Sequence, residues 1–518
     1  MRSAIAVCLV GAMLAGCSNG HTAGVPATTP TVGTAAAAST TSTSGNKGTV
    51  GNPTTAADGT AGTVNTSATG GSSTATAGAT GAGDGIGDRL YPTLGNPGID
   101  VTHYGVDITY DPSTRDLQGV VDLSITATQP LATFTLDEVG LKVAAVTIGG
   151  SSVNFTTADP ELHITPAARI STGTAFDVQV TYSTRPATGR SPATDAGWFP
   201  TSGGAYTVDE PDGTRMWMPS DDHPLDKATY DVTLRVPAGL TAVANGSLTS
   251  HTTVSAGEVW VWKQDQPMAS YLTQIVIGKY SLVTGVGPHK LPLLSAVLTS
   301  DKQLMKPYID ETPKQIAFFE QYFGPYPFDN YGIAMTDSES GLAMEEQGRS
   351  LFSRDDFSSG QLGDEQELLL SHELAHQWYG DAVSPAQWQD IWLNESFATY
   401  GEWMWLDHLA RSTVREQADR ALTQRSTTNG PATGTPSVGD LFGFNEYEGG
   451  AVVLEALRLT VGNKPFFAIL RSWVQNNLFQ ARTSADFIAL AEKVSGKDLH
   501  QFFADWLYAK KVPEHFPS

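Results

Sequence analysis

His372 and His376 flank Glu373 in the run His372-Glu373-Leu374-Ala375-His376, and Glu395 follows in Asn394-Glu395-Ser396-Phe397-Ala398. Two imidazoles four residues apart on a helix lie one turn apart on one face, so both can ligate a single zinc ion. Glu373 is rotated by about 100° from His372 around the same axis, which sets its carboxylate beside the ion as a general base. Eighteen residues separate His376 from Glu395, room for a turn and a second helix that returns to the first with the third ligand. Three protein ligands leave a position open for water, which distinguishes a catalytic zinc from a closed structural one. The chemistry these residues can do is hydrolysis by zinc-activated water, with one Zn2+ per chain.

These groups need a rigid helix, and the flanking residues supply one. Asp364 and Glu365 fall in its first turn, where the macrodipole favours anions; Leu368, Leu369 and Leu370 follow, and Gly380 offers a stop. Around it, from about residue 288 onward, apolar residues recur at helical spacing. Ile316, Phe319, Tyr322 and Phe323 mark one helix, and Gly450 to Leu459, Phe466 to Gln475 and Ala485 to Lys493 mark three more. A short strand region is expected between Tyr331 and Ser350, and Asp498 to Tyr508 is expected to hold a last helix. Upstream, from about Leu90 to Gly285, the period is two. Val121, Leu123, Ile125 and Ala127 share one face of a strand, as do Phe176, Val178, Val180 and Tyr182, and Tyr230, Val232, Leu234 and Val236. Strands at this density with Gly, Pro and Asp between them predict an antiparallel all-β domain.

The run His372 to Asp381 (HELAHQWYGD), with Asn394-Glu395-Ser396-Phe397-Ala398, resembles the aminopeptidase N family of gluzincin zinc peptidases, which also includes the leukotriene hydrolase-type enzymes. The resemblance extends from about Asn96 to the C-terminus. It implies an α+β multidomain fold: an antiparallel, saddle-like β domain at residues 89–287, then a thermolysin-like, mostly helical zinc catalytic domain at 288–518. Large family members continue into a helical-repeat domain that does not follow here, which is expected to leave the cleft more open. Tyr447, in Tyr447-Glu448-Gly449-Gly450-Ala451, matches the catalytic tyrosine whose phenol donates to the oxyanion, although the family usually has Lys where Gly449 stands. Gly341-Leu342-Ala343-Met344-Glu345-Glu346 resembles the Gly-Ala-Met-Glu-Asn exopeptidase motif, with Glu345 at the amine-binding glutamate, Leu342 in place of Gly and Glu346 in place of Asn. Glu210, five residues before Arg215, falls in register with the second acid that binds the substrate's N-terminus. A buried ammonium requires such carboxylates. Asn394 and Gln377 are expected to orient the metal ligands through hydrogen bonds, whereas Trp378 and Tyr379 are expected to pack the helix. His103, His223 and His408 lie at no ligand spacing and read as structural.

The first 88 of the 518 residues are read as a leader and a tether. Arg2, an apolar stretch from Ala4 to Ala15 and the sequence Leu14-Ala15-Gly16-Cys17 resemble a bacterial lipoprotein signal, with residues 1–16 removed and Cys17 lipidated. The other cysteine, Cys8, would leave with the signal, so no internal disulfide is expected. Residues 17–88 are almost entirely Thr, Ser, Ala and Gly, too polar and small to bury a core. They are expected to form a tether with a reach of roughly 45–50 Å, whose composition also permits O-glycosylation. The net charge of −23, from 31 basic and 54 acidic residues, without a Lys/Arg cluster, argues against nucleic-acid binding. The expected partners are peptide substrates and, through Cys17, a bacterial cell membrane on its extracytoplasmic side; a secreted form is the alternative, and the chain is expected to be a monomer.

The sequence thus predicts a zinc aminopeptidase. Zinc endopeptidase or epoxide-hydrolase-like chemistry on the same site is the alternative, motivated by Leu342 and Glu346. A catalytically silent surface binding module is the reading from another class, disfavoured because Glu373 and Tyr447 are both retained beside a full ligand set.

Overall fold

The computed structural model describes residues 85–158 and 160–518. The leader at residues 1–16, Cys17 and nearly all of the tether lie outside the described residues.

An eight-stranded sheet forms the body of the N-terminal half. Its middle is made by Lys227–Val236, Ile99–Asp111, Asp116–Ala127 and Ala175–Thr184, in that order. The period-two residues do what alternation demands: Val121, Leu123, Ile125 and Ala127 are buried, as are Val178, Val180 and Tyr182, and Tyr230, Val232, Leu234 and Val236. Their register is exact, Val121 facing Val180 and Leu123 facing Val178. A one-residue slip would turn this whole set to solvent. Smaller sheets of five and three strands complete the β region.

The sheet is not wholly antiparallel. Ile99–Asp111 and Lys227–Val236 pair in parallel, Tyr104 beside Tyr230 and Val106 beside Val232. Parallel neighbours need a long crossover, and the intervening strands between residues 116 and 208 supply it.

The C-terminal half holds eight helices among the described residues: α1 Lys306–Phe323, α2 Asp364–Ala375, α3 Trp392–His408, α4 Val414–Thr427, α5 Glu448–Val461, α6 Asn463–Asn477, α7 Ser484–Ser495 and α8 His500–Trp506. Ile316, Phe319 and Phe323 bury the predicted face of α1. The expected short strands are Ile333–Met335, Ala343–Met344 and Ser350–Phe352. They join a five-stranded sheet whose other members are Tyr280–Val286 and Pro292–Leu298. The expected domain line at residues 287 and 288 therefore cuts a hairpin, Val286 pairing with Pro292. The strand Tyr280–Val286 belongs with the helical half.

The two halves share apolar packing. Trp217, Tyr271 and Leu272 from the β region lie in one buried cluster with Met344, Leu351, Leu370 and Trp388. A junction filled this way holds acids from one half at fixed distance from ligands in the other.

The folded body also begins earlier than expected. Asp88, assigned to the tether, is buried; it accepts from the backbone nitrogens of Leu90 at 2.7 Å, Tyr91 at 3.0 Å and Trp388 at 2.7 Å, and its other contact is His223 Nε2 at 3.3 Å. No helix among the described residues is long and apolar enough to cross a membrane.

Candidate zinc active site

Helix α2 starts with Asp364, Glu365 and Glu367 in its first turn and ends at Ala375, with His376 still at helical φ/ψ as its cap. Its last turn is packed against α3, whose first turn carries Glu395. Gly401 of α3 permits the approach, since a methyl there would press on the Ala375 side chain at 2.9 Å. The predicted return of a second helix is thus what brings Glu395 to the histidines.

His372 Nε2 and His376 Nε2 lie 3.0 Å apart, and Glu395 Oε2 lies 3.3 Å from the first and 3.4 Å from the second. The Nδ1 atoms of both rings face acceptors: Glu402 Oε1 at 2.5 Å from His372, and the main-chain oxygen of Tyr379 at 3.1 Å from His376. The protons therefore sit on Nδ1, and two Nε2 lone pairs and a carboxylate converge on one point. Three acceptors so close repel one another unless a cation lies between them. Their separations match the roughly 3.3 Å expected between ligands of a tetrahedral ion with bonds near 2 Å. The donor set fits zinc.

Glu373 is buried beside this set. Burial, with repulsion from Glu345 and Glu395, pushes its carboxyl up to about 8 against the pull of the two imidazoles. Tyr447 precedes α5, and its ring lies parallel to His372, centroids 5.7 Å apart. Burial and the carboxylates of Glu395, Glu210, Glu345 and Glu373 hold its phenol protonated well above the usual range, as a hydrogen-bond donor must be.

Glu210 and Glu345 meet here from different halves of the fold. Glu210 stands in the β region ahead of a cis bond to Pro211, and Glu345 follows the strand Ala343–Met344. Ligand atoms of Glu210, Glu345 and Glu395 all lie within 4.8 Å of one another, as do those of Glu345, Glu373 and His376. Both acids are under 8 % exposed, at 7 % and 3 %, and Oε1 of each has no hydrogen-bond partner. Burial raises both, with mutual repulsion at Glu210 and the His376 ring opposing the rise at Glu345. A buried pair of unsatisfied carboxylates is costly unless a cation completes it.

The departures in the 342–346 segment do not enter this cluster. Glu346 is fully buried and accepts from Gln274 Nε2 of the β region. Gln274 Nε2 also reaches the main-chain oxygen of Arg349 at 2.8 Å, so Glu346 anchors the segment behind the cleft. Leu342 is half-buried against the shared core.

Asn394 and Gln377 differ from expectation: neither side chain hydrogen-bonds a metal ligand. Asn394 Nδ2 donates to the Tyr271 hydroxyl at 3.2 Å, and Gln377 Nε2 donates to the main-chain oxygen of Glu345 at 2.8 Å. Gln377 follows the end of α2 and reaches the segment bearing Glu345. The carboxylate that meets a histidine of the set is Glu402, at Nδ1 of His372, a contact the sequence reading missed. Its spacing of seven residues from Glu395 on one helix, hence the same face, was the available signal. Trp378 and Tyr379 pack the core as expected, and His103, His223 and His408 stand apart from the site.

A β-rich half closing over a helical half, with HExxH and a distal glutamate converging at their junction, defines a zinc metallopeptidase. Residues 101–272 match the peptidase M1 N-terminal domain and residues 308–506 the peptidase family M1 domain, and the chain belongs to peptidase family M1. Among its relatives, it is 25 % identical over 437 residues to leucyl aminopeptidase of Saccharolobus solfataricus, covering 80 % of this chain and 54 % of that protein. It is 27 % identical over 331 residues to aminopeptidase M1 of Arabidopsis thaliana, covering 60 % and 37 %. The chain therefore spans about half or less of the length of these relatives. The M1 zinc metallopeptidase of Deinococcus radiodurans superposes with a TM-score of 0.76 at 28 % identity, covering 84 % of this chain and 99 % of that one. A mutant of that enzyme, solved bound to a Tyr-Ser-Ala substrate, superposes with a TM-score of 0.75 at 26 % identity.

Proposed function

We propose that this chain is a zinc-dependent aminopeptidase that removes N-terminal residues from peptides, with one zinc per chain held by His372, His376 and Glu395. The observation that carries the reading is the meeting of Glu210 and Glu345, buried and unsatisfied, within 4.8 Å of the ligand Glu395. Two carboxylates there suit the α-ammonium of a substrate and set its first peptide bond beside the metal position. Zinc, when bound, supplies Lewis acidity that activates a water and polarises the scissile carbonyl. Glu373 takes the proton from the attacking water and passes it to the leaving amine. The Tyr447 phenol donates a hydrogen bond to the carbonyl oxygen as it gains negative charge.

The test is turnover of amino-acid arylamides with free and acetylated amines by the zinc-loaded chain and by Glu373→Gln. Cleavage confined to free amines, and reduced by on the order of 10²–10⁴-fold in the variant, is the expected result. Cleavage of blocked peptides at internal bonds would replace the reading with an endopeptidase, and inertness on every substrate would favour a binding module.

The sequence Leu14-Ala15-Gly16-Cys17 supports a further part of the proposal, a lipid on Cys17 that ties a monomeric enzyme to the outer side of a bacterial cell membrane. Cys17→Ser is expected to move the protein from the membrane fraction to the soluble one.

A further inference from the structure

Tyr447 lies on the segment Asn445 to Gly450, and two buried side chains from other helices hold that segment. Ser396, next to the ligand Glu395, donates its hydroxyl to the main-chain oxygen of Glu446 at 2.5 Å. On the other side Arg425, from the last turn of α4, donates through Nη1 to Asn445 Oδ1 at 3.2 Å and to Thr433 Oγ1 at 2.7 Å. Thr433 in turn donates to the main-chain oxygen of Asn445 at 2.8 Å. The guanidinium thus reaches Asn445 twice, directly and through one hydroxyl, two residues before the tyrosine.

Arg425 is 5 % exposed, and a cation so placed costs stability unless it meets charge or acceptors. Glu446, fully buried and immediately before Tyr447, makes no hydrogen bond to it; burial pushes that carboxyl up to about 9, and the guanidinium opposes the rise. The space Arg425 fills exists because residue 449 has no side chain. A methyl built on Gly449 would overlap Arg425 Nη1 and press on Asn445 Oδ1 at 3.2 Å. Glycine is a poor helix former, and here it admits the guanidinium against the turn that carries the phenol.

We infer that Arg425 is a positioning residue for the reaction: by holding Asn445 and the start of α5 it sets the Tyr447 phenol over the reacting carbonyl. The inference rests on the role of Tyr447 given above. A misplaced oxyanion donor lowers the rate of the chemical step while leaving ground-state binding intact.

The experiment is a double-mutant cycle on the zinc-loaded full chain with leucine arylamide as substrate. Arg425→Met is expected to lower kcat about tenfold with KM within about twofold, and Arg425→Lys to recover part of the loss. In the Tyr447→Phe background, Arg425→Met is expected to change kcat by less than about twofold, because the group it positions is gone. An equal tenfold loss in both backgrounds, or a single variant with unchanged kcat, overturns the inference. Should Arg425→Met not fold, Gly449→Ala, which displaces the guanidinium from the other side, is read through the same cycle with the same expectations. If Tyr447→Phe alone retains full kcat, the role of the phenol itself falls, a result distinct from an additive cycle.

Discussion

The carboxylate of Glu402, two turns along α3 from Glu395, lies 2.5 Å from Nδ1 of His372. In the proposed zinc site one helix would thus supply a ligand, Glu395, and the carboxylate that orients another, His372. Glu402→Gln keeps the shape but removes the charge that fixes the tautomer. We expect zinc affinity to fall by about 10–100-fold, read by competition with a chromogenic chelator. Chelator curves that overlay those of the unaltered protein would sink the idea.

A second consequence concerns the proposed amine-binding acids. Gln377 fastens the main chain of Glu345 at 2.8 Å and accepts from Gly348 N at 2.8 Å through its other amide atom. It therefore fastens the 342–348 segment. Glu345→Gln is expected to raise KM for free-amine substrates by on the order of 10²-fold, as loss of a buried charge partner does. Gln377→Ala is expected to raise KM in the same direction by a smaller factor, with zinc content unchanged. Loss of zinc from the Gln377 variant would return that residue to the ligands' support.

How much of this was legible follows from what each signal encodes. Helix spacing showed that His372 and His376 share a face, and the period-two runs gave the buried sides of three strands, because both depend only on local geometry. Glu402 was equally local, a heptad from Glu395, and went unread. Gln377 and Asn394 were misassigned because adjacency to a ligand in sequence says nothing about which way a side chain turns on a helix. The parallel pairing of Tyr104 with Tyr230 joins strands some hundred residues apart, and no local pattern fixes such a partner. Arg425 meets Asn445 across twenty residues of irregular chain, visible only once the chain is folded.

The start of the folded body offers a stability test. Asp88 closes three backbone nitrogens and meets His223, both side chains at 1 % exposure or less. Removing the acceptor of these buried backbone nitrogens leaves each unpaired, at about 1–3 kcal/mol per group. A chain beginning at Gly85 is expected to unfold in denaturant as the full chain does, and one beginning at Arg89 at a markedly lower midpoint. Equal midpoints would mean that Asp88 belongs to the tether after all.

The acids beneath the β half give that region a pH dependence of definite sign. Asp137 is fully buried; burial, with repulsion from Asp222, pushes it up to about 7, while Arg215 and the backbone nitrogens of Asp222 and Gly95 oppose the rise. Asp222, also fully buried, is raised to about 6 by burial against hydrogen bonds from Ser270 and Arg215. A carboxyl raised on folding binds its proton more tightly in the native state than in the unfolded one. Its contribution is therefore complete below the unfolded value near 3.8 and is lost as pH rises through 6 to 7. Zinc binding runs the other way, since its histidines must lose protons, so the comparison is made between proteins at each pH with zinc saturating. Asp137→Asn removes one of these groups. Its Tm relative to the unaltered protein is expected to rise between pH 5 and pH 8 by a few degrees. A difference that stays flat over that range would show that Asp137 is already ionised in the folded protein, held by Arg215 and its backbone donors.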